Sequence, residues 1–133
     1  MEWLRIITSN EFMRVATMEI VYVRANGNYC DLMLTSGRCH TMTFQLHCLE
    51  DTFEKLHNNY FIRVGRSLIV NRRYVHIINL TEQLLVLSGQ AMREPIVFSG
   101  VERKDRPNRL QLSRENLKEL WDKLKEEKGG IYE

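Results

Sequence analysis

Arg66 stands between Gly65 and Ser67, inside a stretch from Lys55 to Thr81 that holds no acid and also carries Arg63, Arg72 and Arg73. A guanidinium on a loop can make paired hydrogen bonds to guanine O6 and N7 in the major groove of duplex DNA. A hydroxyl beside it, such as Ser67, can hold a phosphate and fix register without reading sequence. Arg72, Arg73 and Lys118 suit phosphate better than base. Asn26 and Asn28 flank Gly27; their amides match the adenine edge, and the same residue type also forms turns through its own backbone bonds. Both roles stay open for the pair. Arg63, set in an apolar run, reads first as a partner for a carboxylate. Asn71 reads first as a residue that bonds the backbone of its own loop.

The charge pattern points the same way. The formal net charge is only +2, but arginine outnumbers lysine 13 to 6, and arginine is the cation suited to paired contacts with phosphate and guanine. A second basic stretch, Arg103, Lys104, Arg106, Arg109 and Arg114, is opposed by Glu102 and Asp105. Acids collect instead at Glu50, Asp51 and Glu54 and near the C-terminus. Segregation of this kind makes a one-sided field, the footprint of a polyanion partner.

Other chemistries find little support. Cys39-His40 and His47-Cys48 are ligand types, but as adjacent pairs they lack the spacing of structural zinc sites, and no metal is expected. Cys30, Cys39 and Cys48 are odd in number and form no Cys-x-x-Cys, which speaks against a disulfide scaffold and for a reducing compartment. The sequence has no glycine-rich phosphate loop, no Gly-x-Ser-x-Gly and no His-Glu-x-x-His, so neither an enzyme nor a cofactor or small-molecule substrate is expected. No apolar run approaches the roughly 20 residues that span a bilayer. The N-terminus lacks a basic, then apolar, secretory pattern. Expectation falls on the cytoplasm.

The elements that must position these residues are mainly strands. With 133 residues the chain amounts to one domain, whose core runs over about 12–124 and whose tail, 125–133, is frayed. Trp3 to Thr8 and Phe12 to Val15 read as short strands. Ile20 to Ala25 is rich in β-branched and aromatic residues. Asn26-Gly27-Asn28 turns the chain, and Tyr29 to Leu34 returns. Ser36-Gly37 turns it again into a strand from Arg38 to Phe44. Leu46, Leu49, Phe53 and Leu56 then step at helical spacing, with a cap at Thr43 or just after and an end at Asn58-Asn59. Strand character resumes at Tyr60–Val64, Leu68–Val70, Tyr74–Ile78, Leu84–Leu87 and Ile96–Phe98. A charged loop from Glu102 to Asn108 leads to a last strand at Arg109–Ser113. A helix from Asn116 to Glu127 follows, with Leu117, Leu120, Trp121 and Leu124 inward.

Three runs, in this order, resemble the LytTR family: Ile20-x-Tyr22-Val23-x-Ala25-x-Gly27-Asn28-Tyr29, Phe61-x-Arg63-Val64-x-Arg66-Ser67-x-x-Val70-Asn71, and Leu110-Gln111-Leu112-Ser113-Arg114 followed by Leu117-Lys118-Glu119-Leu120. The middle run is the most specific, and the resemblance covers roughly residues 12–124. It implies a mainly β fold of short antiparallel sheets in an elongated body, with one short internal helix and a C-terminal helix. It implies a bacterial transcription regulator, of the kind found in two-component signalling, that binds double-stranded DNA at promoters, commonly at paired direct repeats. Loops enter successive major grooves, which sets them about one turn, roughly 34 Å, apart, and two copies can pair on DNA. By position the loops are Asn26 to Cys30, Gly65-Arg66-Ser67, and Ser113-Arg114 with the start of the last helix. The family usually has His where this chain has Gly65. The segment from Ser88 to Asn108 is longer than the family's hairpin. Many members carry a receiver domain ahead of this one; whether this chain stands alone or is cut from such a protein is open. The alternative to DNA is an RNA-binding or protein-interaction β module. RNA modules stack bases on exposed aromatics, whereas Phe53, Phe61 and Trp121 are expected in the core.

Overall fold

A computed structural model describes residues 2–100 and 112–133. Its ten strands are β1 (Trp3–Ile7), β2 (Phe12–Ala16), β3 (Ile20–Asn26), β4 (Tyr29–Leu34), β5 (Cys39–Met42), β6 (Phe61–Val64), β7 (Leu68–Asn71), β8 (Val75–Asn79), β9 (Leu84–Leu87) and β10 (Ile96–Ser99). Its two α-helices are α1 (Leu46–Glu54) and α2 (Arg114–Lys125). The strands form three antiparallel sheets: β1-β2, β10-β9-β8, and a central sheet in the order β5-β4-β3-β7-β6. The fold is the mainly β arrangement that the sequence leads one to expect.

The central sheet is apolar on both faces, because alternate residues of each strand point to opposite sides. On β7, Leu68 and Val70 join one core with Leu85, Leu87 and Phe98 of the three-stranded sheet and Leu117 and Leu120 of α2. Ile69 joins the other, with Leu4, Ile6 and Val15 of the β1–β2 hairpin and Leu46, Leu49 and Phe53 of α1. The molecule therefore has three layers, with β1–β2 and α2 on opposite sides of the central sheet. A bulge lies in the β3–β4 pairing, where Ile20 faces Leu34 but Tyr22 faces Met33. The extra residue lets Val21 and Tyr22 both enter the α2-side core.

Several boundaries differ from expectation. The strand expected from Arg38 to Phe44 is only Cys39–Met42, β5. Helix α1 starts at Leu46 behind Gln45, which makes no side-chain cap bond, and ends at Glu54, so Leu56 packs from beyond it. Helix α2 begins earlier than predicted because Ser113 caps it: Ser113 Oγ accepts the Asn116 N–H at 3.1 Å. Trp121 is 38% exposed, contrary to the expected core position. Leu117 and Leu120, with half-buried Leu124, already fill the inward face, which leaves position 121 on its shoulder. The predicted strand at Arg109–Ser113 lies mostly outside the described residues; Leu112 and Ser113 are not strand.

Candidate nucleic-acid interface

Strand register brings the three expected loops to one end of the central sheet. β3 ends where β7 begins, since Arg24 pairs with Leu68, and the Ala25 N–H donates to the Ser67 carbonyl at 2.8 Å. The β3–β4 turn and the β6–β7 turn are thus neighbouring hairpin tips. The first is a two-residue connection, Gly27-Asn28, between the paired Asn26 and Tyr29. Gly27 takes φ +63°, suiting glycine as the first of two central turn residues. Asn26, Asn28 and Tyr29 are exposed there. The Asn26 amide lies 3.5 Å from the Asp31 carboxylate, which also accepts from the Thr41 hydroxyl at 3.0 Å.

The second tip, Gly65-Arg66-Ser67, is held from below. Arg63 Nε donates to the Gly65 carbonyl at 2.9 Å, and its Nη2 donates to the Arg66 carbonyl at 2.7 Å. Its Nη1 meets Glu50 of α1 at 3.2 Å. One guanidinium therefore fixes two consecutive carbonyls and turns the Arg66 side chain out into solvent. Among the described residues Arg66 makes no salt bridge.

The third element abuts the second. A β-carbon on Gly65, whose φ is +68°, would stand 2.4 Å from Asn116 Nδ2. The first turn of α2 therefore fills the space beside Gly65, which gives a physical reason for glycine here. Arg114 and Lys118, four residues apart, share an exposed side of α2. Lys118 pairs with Asp122 at 3.2 Å and lies 5.7 Å from the Trp121 ring centre. An exposed pair of this kind contributes at most about 1 kcal/mol, so the ammonium can turn to a phosphate at little cost. The helix N-terminus adds its own partial positive charge.

Other candidates lie elsewhere. The Cys30 side chain is buried among Leu32, Met42 and Leu46, and burial pushes its thiol pKa up. Alternation along β4 turns Tyr29 out and Cys30 in, so the Cys30 thiol does not face the edge. Arg72 and Arg73 follow β7, about 17 Å of extended chain from Ser67, at the opposite end of the sheet. Arg72 pairs with Glu127 at 3.6 Å. Arg73 lies 5.1 Å from the Tyr60 ring centre and donates to its hydroxyl at 3.4 Å. Both therefore stand away from the hairpin-tip edge. Asn71 is buried; it donates to the Ile20 carbonyl at 3.0 Å and accepts the Arg73 N–H at 3.0 Å. The basic stretch Arg103, Lys104, Arg106 and Arg109 lies outside the described residues.

The register also corrects the expected spacing. The centres of the first two tips are two strand separations apart, about 10 Å, not the roughly 34 Å of a full turn. Two residues at the edge were not singled out from sequence. Tyr29 was legible from its alternation with Cys30; Asn116 beside Gly65 had no local signal.

Comparison with known proteins places this edge in context. The model of the LytTr DNA-binding domain matches residues 10–125. A similar solved structure is the LytTr DNA-binding domain of a protein described as a methyl-accepting/DNA response regulator from Bacillus cereus. It is 19% identical, with 94% of this chain and 97% of that chain covered and a TM-score of 0.58; at that identity the likeness speaks for the fold alone. No curated protein matches the chain. LytTR domains are DNA-binding domains of transcription regulators, and the chain belongs to the LytTR family.

Proposed function

We propose that this domain binds double-stranded DNA sequence-specifically through the hairpin-tip edge and so regulates transcription in the bacterial cytoplasm, as a regulator of the response-regulator type without enzymatic activity. The observation that carries this reading is the convergence of Arg66, held out by Arg63, with the Asn26–Asn28 tip and the first turn of α2 on one end of the sheet. Arg66 reads guanine in the major groove, and Ser67 anchors a phosphate. Asn26 and Asn28, about 10 Å away, read bases about three steps along at 3.4 Å each, in the same groove. Arg114 and Lys118 continue the row toward the next groove. Engaging both grooves from so short a row bends the duplex, at about 1–6 kcal/mol offset by the added contacts. Tandem sites in direct repeat are part of this proposal.

The test is selection of bound duplexes from a random library, followed by titration of the winning site against single strands and structured RNA of equal length. Preference for the selected duplex, with strong salt dependence, supports the proposal. Equal affinity for all three at physiological salt overturns it.

A further inference from the structure

The outer face of the β1–β2 hairpin sets exposed apolar side chains around two arginines. Trp3, Ile7 and Phe12 are 45%, 59% and 60% exposed, and all three lie on that face. Between them Arg5 and Arg14 stand directly opposite each other in the strand register. Like charges directly opposite across a strand pair destabilise it. Arg14 gains only a stacking contact, its guanidinium 5.0 Å from the Trp3 ring centre, and among the described residues neither arginine has a salt bridge. A face that keeps two opposed guanidiniums within an apolar rim is built for carboxylates.

The chain carries a matching surface of its own. Glu115, Glu119 and Asp122 of α2 and Glu126 just past its end recur at four, three and four residues, which stacks them in one exposed row. Of the four, only Asp122 has a basic partner among the described residues. The spacing fits: Glu119 and Asp122, three apart on a helix, hold their β-carbons about 5–6 Å apart. Arg5 and Arg14, directly paired, hold theirs about 4.5–5.5 Å apart.

The two surfaces lie on opposite sides of the central sheet, so they cannot meet within one chain. We propose that the β1–β2 face of one copy docks on the acidic row of α2 in a second copy, head to tail. A heterologous contact of this kind, unless it closes into a ring, leaves a free face at each end of the assembly. The contact does not require the edge to bind DNA.

Sedimentation of the whole chain without DNA tests this, using wild type, the double variant R5E/R14E, the double variant E119R/D122R, and an equal mixture of the two. All the altered positions are exposed, and melting curves confirm folding. Wild type should gain mass steadily with concentration, an effect that salt weakens; each variant alone should stay monomeric. The mixture should again gain mass with concentration, because the native pairing joins the two variants through one face and the charge-swapped pairing joins them through the other. Wild type that stays monomeric to about 1 mM, or variants that associate like wild type, overturn the proposal. So does docking of an unrelated acidic protein on the hairpin face while wild type stays monomeric. Binding to a short duplex is measured in parallel, so a failure of DNA recognition is seen separately.

Discussion

Replacing Arg63 with alanine perturbs the edge without removing a residue proposed to touch DNA. The side chain makes two hydrogen bonds to loop carbonyls, at 2.9 and 2.7 Å, and an ion pair at 3.2 Å. A hydrogen bond to a charged group contributes about 1.5–3 kcal/mol. With the side chain 29% exposed the low end applies, which gives about 3 kcal/mol for the two carbonyl bonds and at most about 1 for the ion pair. Part of this appears as lost stability, read as a lower melting temperature. The rest appears when DNA must order a loop that no longer holds its shape, at about 1–2 kcal/mol for each residue fixed. We expect Arg63→Ala to weaken binding to the selected site about tenfold, near 1.4 kcal/mol. Binding to random duplex should change little. Glu50→Gln, which spares both carbonyl bonds, should do much less. The assay is fluorescence anisotropy for Arg63→Ala, Arg66→Ala and the double variant. If Arg63 acts by aiming Arg66, its effect should largely vanish once Arg66 is gone. Full additivity, or wild-type affinity in a folded Arg63→Ala protein, refutes the reasoning.

Three further outcomes follow from the packing. Gly65→Ala should cost about 1–3 kcal/mol in chemical denaturation, from the positive φ and the approach to Asn116; adding Asn116→Ala should recover the part due to collision. Glu2 accepts the His57 and Asn58 N–H groups at 2.8 and 2.7 Å. The bond from His57 leads in holding its pKa below the usual carboxylate range. A carboxyl depressed on folding stabilises above its unfolded pKa of about 4.3 and loses that contribution as pH falls through the lower folded value. The acid limb of the stability curve should therefore flatten in Glu2→Gln, and an unchanged limb would contradict the assignment. Cys30, buried and with a raised pKa, should resist iodoacetamide in the folded protein and react on unfolding; exposed Cys48 should react first, as mass spectrometry of the labelled peptides would show.

Local pattern carried most of the fold. The apolar run Leu84–Leu87 and the helical steps of Leu46, Leu49 and Phe53 each specify an element that the structure contains. What escaped depends on pairing between distant residues. The bulge opposite Leu34 and Met33 that lets Val21 and Tyr22 share a core has no signature in either strand alone. Trp121 looked like core because its neighbours at helical spacing are core. At the site, the Arg66 loop and the caution over Arg63 and Asn71 were legible. The distance between Arg66 and Arg72 was not legible: six positions apart in sequence, they are carried by β7 to opposite ends of the sheet.

The central claim is that one end of the sheet reads DNA and the other does not. The most direct measurement is a base-by-base interference footprint on the selected duplex with wild type, Arg66→Ala, Arg114→Ala and Arg72→Ala. Arg66→Ala should cost about 1–3 kcal/mol and relax preference at a guanine. Arg114→Ala should act on positions farther along the duplex. Arg72→Ala should leave both the map and the salt slope as in wild type. A salt slope that falls by about one unit in Arg72→Ala, with specific and random binding equally insensitive to Arg66→Ala, would contradict the account.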